Sequence, residues 1–162
     1  MEQNKVKSLK AQMLEARKKS MNLFSDIGHR LESVGVKNGV EWINDSKATD
    51  IDSSYYSLEL MEKPVIWIVG ASDVERDYSV FDKLVRYKVK KVLCFGSYET
   101  QIKYTFAGIT EGYAHKETLE GAMLTASEWS KDGDVVLFSP ACSSFDLYDD
   151  YRQRGEHFKS LI

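Results

Sequence analysis

DVVLFSPACSSFDLYDDYRQRG, residues 134–155, reads as a single unit. Asp134 to Phe138 is a short apolar run with no polar alternation, the pattern of a strand buried on both faces. Six small residues follow, Ser139 to Ser144, which let a backbone approach a neighbour closely. An amphipathic helix is expected next, with Tyr148, Tyr151, Phe158 and Leu161 at helical spacing. A strand ending in small hydroxyl residues at a helix N-terminus can receive an anion, because free N–H groups and the helix dipole converge there. An ordinary strand-to-helix turn fits the same residues, and the pattern leaves both open.

Upstream, period-two alternation over Leu31 to Asn44 surrounds Asn38-Gly39, which predicts an antiparallel hairpin with a type I′ turn. It delivers the chain into Asn44-Asp45-Ser46-Lys47-Ala48-Thr49-Asp50. That loop is dense in hydrogen-bonding groups and ends at an N-cap, Asp50 or Asp52, for a helix reaching Met61. A capped polar turn explains these residues, and so does a site for a phosphate or carboxylate beside Lys47. The rest alternates. Strands are expected at 64–70, 91–96, about 109–113 and 134–138, with helices over 78–87, 99–106 and 116–129. Near-continuous Val/Ile/Leu strands between amphipathic helices predict an α/β fold, a Rossmann-like, mostly parallel sheet with helices on both faces, opened by the hairpin. Right-handed crossovers then gather the 44–50, 70–77 and 139–146 loops at the carboxyl ends of the strands.

Composition narrows the function. The 162 residues are 43% hydrophobic and 29% charged, with net charge −3, ordinary for one globular domain. That charge gives no electrostatic case for nucleic acid or an anionic membrane as partner. No apolar run approaches a membrane span, and the charged N-terminus lacks a signal-peptide core, so the expected location is the cytoplasm. Cys94 and Cys142 each adjoin a predicted buried strand and read as reduced core residues. His29, His115 and His157 share no motif with Cys142, which speaks against a Cys–His nucleophile pair. Asp149-Asp150 suits capping or solvent, and no His/Cys/carboxylate spacing suggests a metal site. Residues 5–24 form a basic amphipathic stripe through Val6, Leu9, Met13 and Leu14, a helix with a solvated face.

Three motifs in order carry a resemblance: His29-Arg30-Leu31-Glu32, Asn44-Asp45-Ser46-Lys47-Ala48-Thr49, and Ser139-Pro140-Ala141-Cys142-Ser143-Ser144-Phe145-Asp146 with Arg154-Gly155 and Phe158. Together they resemble the C-terminal domain of the Mur ligases, closest to the members that add D-glutamate. The resemblance implies that residues 29–162 are the amino-acid acceptor domain and residues 1–28 the end of a central ATPase domain or a linker. It implies a reaction in which ATP, with Mg²⁺, activates the carboxylate of UDP-N-acetylmuramoyl-L-alanine as an acyl phosphate, which D-glutamate then attacks to form an amide in bacterial peptidoglycan synthesis.

By the same resemblance Arg30 contacts the nucleotide on domain closure, Asp45 accepts hydrogen bonds from ribose, and Lys47 approaches the phosphates as the catalytic cation. Thr49 and Ser144 donate hydroxyls to the carboxylates of D-glutamate, Phe145 helps through its backbone, and Tyr151 lines the pocket.

Two departures stand out. No glycine is followed by lysine, so a G-x-x-x-x-G-K-[ST] phosphate cradle is absent and this stretch of chain should not ligate alone. In the loop Gly70 to Tyr78 the family's substrate-binding lysine falls on Val74, with Arg76 two residues on as a candidate substitute. Ala71 and Asp50 are milder departures, the latter placing negative charge near an anion site. A degenerate or stand-alone binding module without enzymatic activity is therefore the alternative to a ligase domain.

Overall fold

The structure, a computed structural model, describes residues 27–162 except Asp73, together with Gln12, Glu15, Ala16 and Lys19. Those four are helical and exposed; the rest of the predicted 5–24 helix, and so the 1–28 segment as a unit, lies outside the described residues.

Strand β1 (Glu32–Lys37) and strand β2 (Val40–Asn44) pair antiparallel across Asn38 and Gly39. Their φ angles of 53° and 75° are the two positive values that a type I′ turn requires. Helix α1 (Ile51–Leu60) follows, capped by Asp50, whose carboxylate accepts from the Ser53 N–H at 2.8 Å. Strand β3 (Val65–Gly70) is buried at every position. The predicted 78–87 helix is two pieces, a 3₁₀ turn at Tyr78–Phe81 capped by Asp77 and helix α2 (Asp82–Lys88).

Strand β4 (Val89–Phe95), helix α3 (Thr100–Phe106), strand β5 (Gly112–Lys116) and helix α4 (Leu119–Trp129) continue the alternation. Strand β5 begins three residues later than its sequence suggests. The Ile109 N–H instead closes the end of α3 on the Phe106 carbonyl, and Glu111 N–H is the first to reach β4, at Lys90. Strand β6 (Val135–Phe138) and helix α5 (Tyr151–Ser160) complete the chain.

The sheet order is β1-β2-β6-β3-β4-β5, and every neighbouring pair except β1–β2 is parallel. One core cluster joins the sheet to α1, the 3₁₀ turn, α2 and α3; Trp67 sits inside it with Phe81 4.9 Å and Phe106 5.5 Å away, centroid to centroid. A second cluster joins the other face to α4 and α5, where Phe138 and Phe158 stack at 4.7 Å. Chain leaving β2 and β3 therefore goes to one face, and chain leaving β6, which lies between them, goes to the other. Adjacent strands whose exits diverge open a crevice at their carboxyl ends. Here it falls at Asn44, Phe138 and Gly70.

Candidate functional site

The three loops do meet at that crevice. Asp45 N–H donates to Phe138 O at 2.8 Å, Ala141 N–H to Ala48 O at 3.1 Å, and Gly70 N–H to Pro140 O at 2.9 Å. Gly70 has to be glycine, because a Cβ there would stand 2.4 Å from Cys142 Sγ. Ala141 takes a left-handed φ of 57°, a conformation unfavourable for a residue with a side chain, held by its buried surroundings.

The small-residue turn is not the start of a helix. Helix α5 begins at Tyr151, where Asp150 accepts from the N–H groups of Arg152 (2.8 Å) and Gln153 (2.9 Å). The helix N-terminus is therefore at 150–153 and not at the serines, so the dipole argument for an anion at 139–144 does not hold. A buried cation stands there instead. Arg154, 1% exposed, donates from Nη1 to Cys142 O (3.0 Å), from Nη2 to Ser46 O (2.8 Å) and from Nε to Ser46 Oγ (3.0 Å). Ser46 Oγ in turn donates to Tyr151 O at 2.7 Å. One planar guanidinium thus ties the 44–50 loop, the 139–144 turn and α5 together, a geometry lysine cannot copy.

Asp45 is wholly buried. Its Oδ1 accepts from Leu31 N–H at 3.1 Å, and Ser139 Oγ, itself 2.8 Å from Ser54 Oγ, donates to Oδ2 at 2.7 Å. Burial pushes its carboxyl up to about 6, against the opposing pull of the Ser57 and Ser139 hydroxyls and the Arg30 charge. Both oxygens are thus engaged by the protein. Leu31 and His29 have left-handed φ angles of 45° and 64°. His29 is held by Asn44 Nδ2 at 2.9 Å, and its carbonyl by Lys47 N–H at 3.0 Å. The His29 ring fills the space a side chain on Gly155 would need, with Nδ1 2.2 Å from a Cβ built there.

The other predicted residues surround this frame. Lys47 is half-buried, its Nζ 5.6 Å from the Tyr151 ring centroid, with Arg152 on the same ring at 5.3 Å. Arg30 and Thr49 are half-buried, and the Ala48–Ala141 bond sets Thr49 beside the 139–144 turn. Ser144 is buried and lines a cavity of ≈ 20 Å³ with Ala71, Cys142, Tyr148 and Arg154. Phe145 is 75% exposed and its N–H faces Ser143 Oγ at 3.3 Å. Val74 is 55% exposed. Arg76 points inward, and its Nε is buried with no hydrogen-bond partner among the described residues. Its charge is felt at Cys142, whose thiol burial raises nonetheless. Cys94, also free and buried, is pushed up to about 12 by burial. Both are neutral thiols with no nucleophilic character.

Against known proteins, residues 29–142 match the family described as Mur ligase, glutamate ligase domain. The chain belongs to that family. Among its relatives are proteins named UDP-N-acetylmuramoylalanine–D-glutamate ligase. That of Salinibacter ruber is 37% identical over 90% of this chain and 32% of its own length. That of Cytophaga hutchinsonii is 41% identical over 88% and 32%, and that of Aquifex aeolicus 44% over 86% and 34%. This Mur ligase domain therefore spans about a third of the length of the curated relatives it matches. Two solved structures share its fold at low identity. The MurF ligase of Thermotoga maritima, in complex with ADP, has TM-score 0.53 at 17% identity, covering 83% of this chain and 30% of that one. A bifunctional folylpolyglutamate synthase/dihydrofolate synthase from Yersinia pestis has TM-score 0.56 at 12%, covering 83% and 31%.

Arg154 and Ser46 are the site residues that residue-type reasoning passed over. Their signal was the Arg-Gly pair trailing the serine motif, which acquires a role once α5 lies against the crevice. Among the described residues no group of three or more His, Cys, Asp or Glu is arranged to hold a metal ion, and no helix is long and apolar enough to cross a membrane.

Proposed function

We propose that this domain receives D-glutamate and closes over ATP in a UDP-N-acetylmuramoyl-L-alanine:D-glutamate ligase of the bacterial cytoplasm. The observation that carries the proposal is the crevice at Asn44, Phe138 and Gly70, where the chain leaving three strands is joined by backbone hydrogen bonds. The names of the relatives support the substrate class. Thr49 and Ser144 offer hydroxyls to carboxylates, Phe145 its backbone, and Tyr151 an aromatic wall flanked by Lys47 and Arg152.

Arg76 partly takes over what Val74 cannot do, and a cation at 74 would add a second contact. Its inward guanidinium has a buried, unpartnered Nε, and an unmet charged donor in a wall is suited to a carboxylate. Arg30 and Lys47 supply cations for a nucleotide, Lys47 as the catalytic one. Asp45 meets ribose hydroxyls after giving up its bond to Leu31 or Ser139, since the resting fold uses both oxygens. ATP supplies the phosphoryl group that activates the donor carboxylate. The phosphate cradle, Mg²⁺ and the UDP-sugar belong to companion domains, without which this domain binds both small ligands weakly and does not ligate.

NMR titration of D-glutamate tests the acceptor site. Val74→Lys should tighten binding on the order of 10-fold or more, the worth of one charge-assisted hydrogen bond, and Ser144→Ala should weaken it. If neither variant alters the titration, the acceptor site is misassigned. The exposed Val74 favours a second reading, a binding module that has lost ligase activity. Mixing the domain with the ATP-binding part of a relative separates the two, since restored ligation excludes the module.

A further inference from the structure

Segment 139–150 contains no helix, so its site-lining turn must be held from outside. Two backbone bonds shape it, Leu147 N–H (3.2 Å) and Tyr148 N–H (2.9 Å) both donating to Ser144 O. Arg154 grips one end, at Cys142. Three residues further along α5, on the same helix face, His157 grips the other. Its Nδ1 lies 2.8 Å from Tyr148 Oη, and its Nε2 lies 3.0 Å from Glu120 Oε1 in the first turn of α4. Tyr148 itself lines the small cavity beside Ser144.

We propose that Glu120, His157 and Tyr148 form a hydrogen-bonded relay that positions the Ser144 turn, with His157 held as the Nε2–H tautomer. The direction of the bonds follows from the two ends. Glu120 has a carboxyl held below its usual range, first by its own backbone N–H and then by His157, so it is an acceptor and takes the Nε2 proton. With Nε2 carrying the proton of the neutral ring, Nδ1 is bare, and the Tyr148 hydroxyl 2.8 Å away, a phenol that burial raises to about 12, donates to it. Glu120 is 55% exposed and His157 28%, which leaves the relay open to solvent at one end and joined to the cavity wall at the other. These three are positioning residues: none needs to touch the ligand. The relay rests on the acceptor-site proposal only in what the turn is positioned for.

The test uses the 162-residue chain with ¹⁵N histidine labelling at neutral pH. The expected spectrum has His157 protonated at Nε2 and bare at Nδ1. Tyr148→Phe keeps the ring and removes the hydroxyl. It should shift the Nδ1 resonance and speed amide exchange at Tyr148 about fivefold, the worth of one neutral hydrogen bond. It should weaken D-glutamate binding by a similar factor. Glu120→Ala should erase the tautomer preference while the fold persists. An Nδ1–H tautomer in the unsubstituted chain, or unchanged His157 resonances and exchange in Tyr148→Phe, overturns the relay. Absence of D-glutamate binding by the unsubstituted chain overturns the ligand instead and leaves the relay to be judged on tautomer and exchange.

Discussion

Two loops of the crevice, 44–50 and 71–77, are built in opposite ways. In the first, Asn44, Asp45, Ser46 and Ala48 are completely buried, and their polar groups are matched by Leu31, Ser139, Arg154 and Tyr151. In the second, Val74 and Glu75 are exposed. Its ends are held by Ala71 N–H donating to Phe95 O at 2.7 Å and by Asp77 accepting from Ser79 N–H at 2.9 Å. Between them a Ser72 hydroxyl accepts from Val74 N–H and a Gln101 amide oxygen from Arg76 N–H, and the Arg76 Nε has no partner among the described residues. A loop whose polar groups are satisfied internally is preorganised and costs little to present to a ligand. A loop with unmet donors and an exposed apolar residue tolerates change at little cost to folding. By the resemblance, the lysine-to-valine departure falls on the tolerant loop, while the rigid loop departs only at Asp50, its exposed last residue.

The largest test of this contrast is Arg154→Ala. It removes a buried cation with three hydrogen bonds to oxygen and a longer one to Cys142 Sγ and leaves two buried carbonyls with that donor gone, so unfolding in urea should show a loss of about 3–5 kcal/mol. Arg154→Lys should recover less than half. A loss under 1 kcal/mol would mean that the rigid loop holds itself.

Asp45→Asn is the intermediate case. Folded Asp45 keeps its proton up to about pH 6, whereas an unfolded aspartate releases it near about 3.9. Between those values the native state binds more protons than the unfolded one. This carboxyl's contribution to stability is therefore greatest below the unfolded value, falls as pH rises toward 6, and is constant above. Stability of the original chain minus that of the Asn variant should drop by on the order of 2–3 kcal/mol from pH 4 to pH 7. A flat difference would show that the carboxylate is better solvated than its burial suggests.

The smallest stability effect belongs to Val74→Lys, an exposed change expected within about 0.5 kcal/mol although it alters the acceptor site most. If its melting point moved as far as that of Asp45→Asn, the 71–77 loop would be no more tolerant than its neighbour.

Much of the fold was legible because each element carries its own period or cap. Asn38-Gly39, Asp50 and the unbroken apolar runs of β3 and β6 act locally, and they formed where expected. Errors fell where long-range bonds override local pattern. Strand β5 shifted because its pairing with β4 begins at Lys90 and Glu111. Helix α5 starts only at Tyr151, capped by Asp150, because the residues after β6 are drawn into bonds with the 44–50 and 70–77 loops and with Arg154. The convergence of three loops could be argued from crossover handedness. The buried guanidinium that joins them could not be, since nothing in the spacing of Ser46, Cys142 and Arg154 says that they meet.

The sequence by itself determined the layered α/β class, the hairpin and the family, because these depend on side-chain identity and short-range geometry. Tertiary structure alone decided that Asp45 is buried and fully bonded, that Arg154 is the clamp of the crevice, and that His157 reaches both Tyr148 and Glu120. Those facts depend on which face of the sheet each helix covers and on what burial does to a charge, and the chain settles both only when it is folded. The stretch over 134–155 shows the difference: its strand was evident from composition, while the small residues after it sit against a buried arginine rather than a helix dipole.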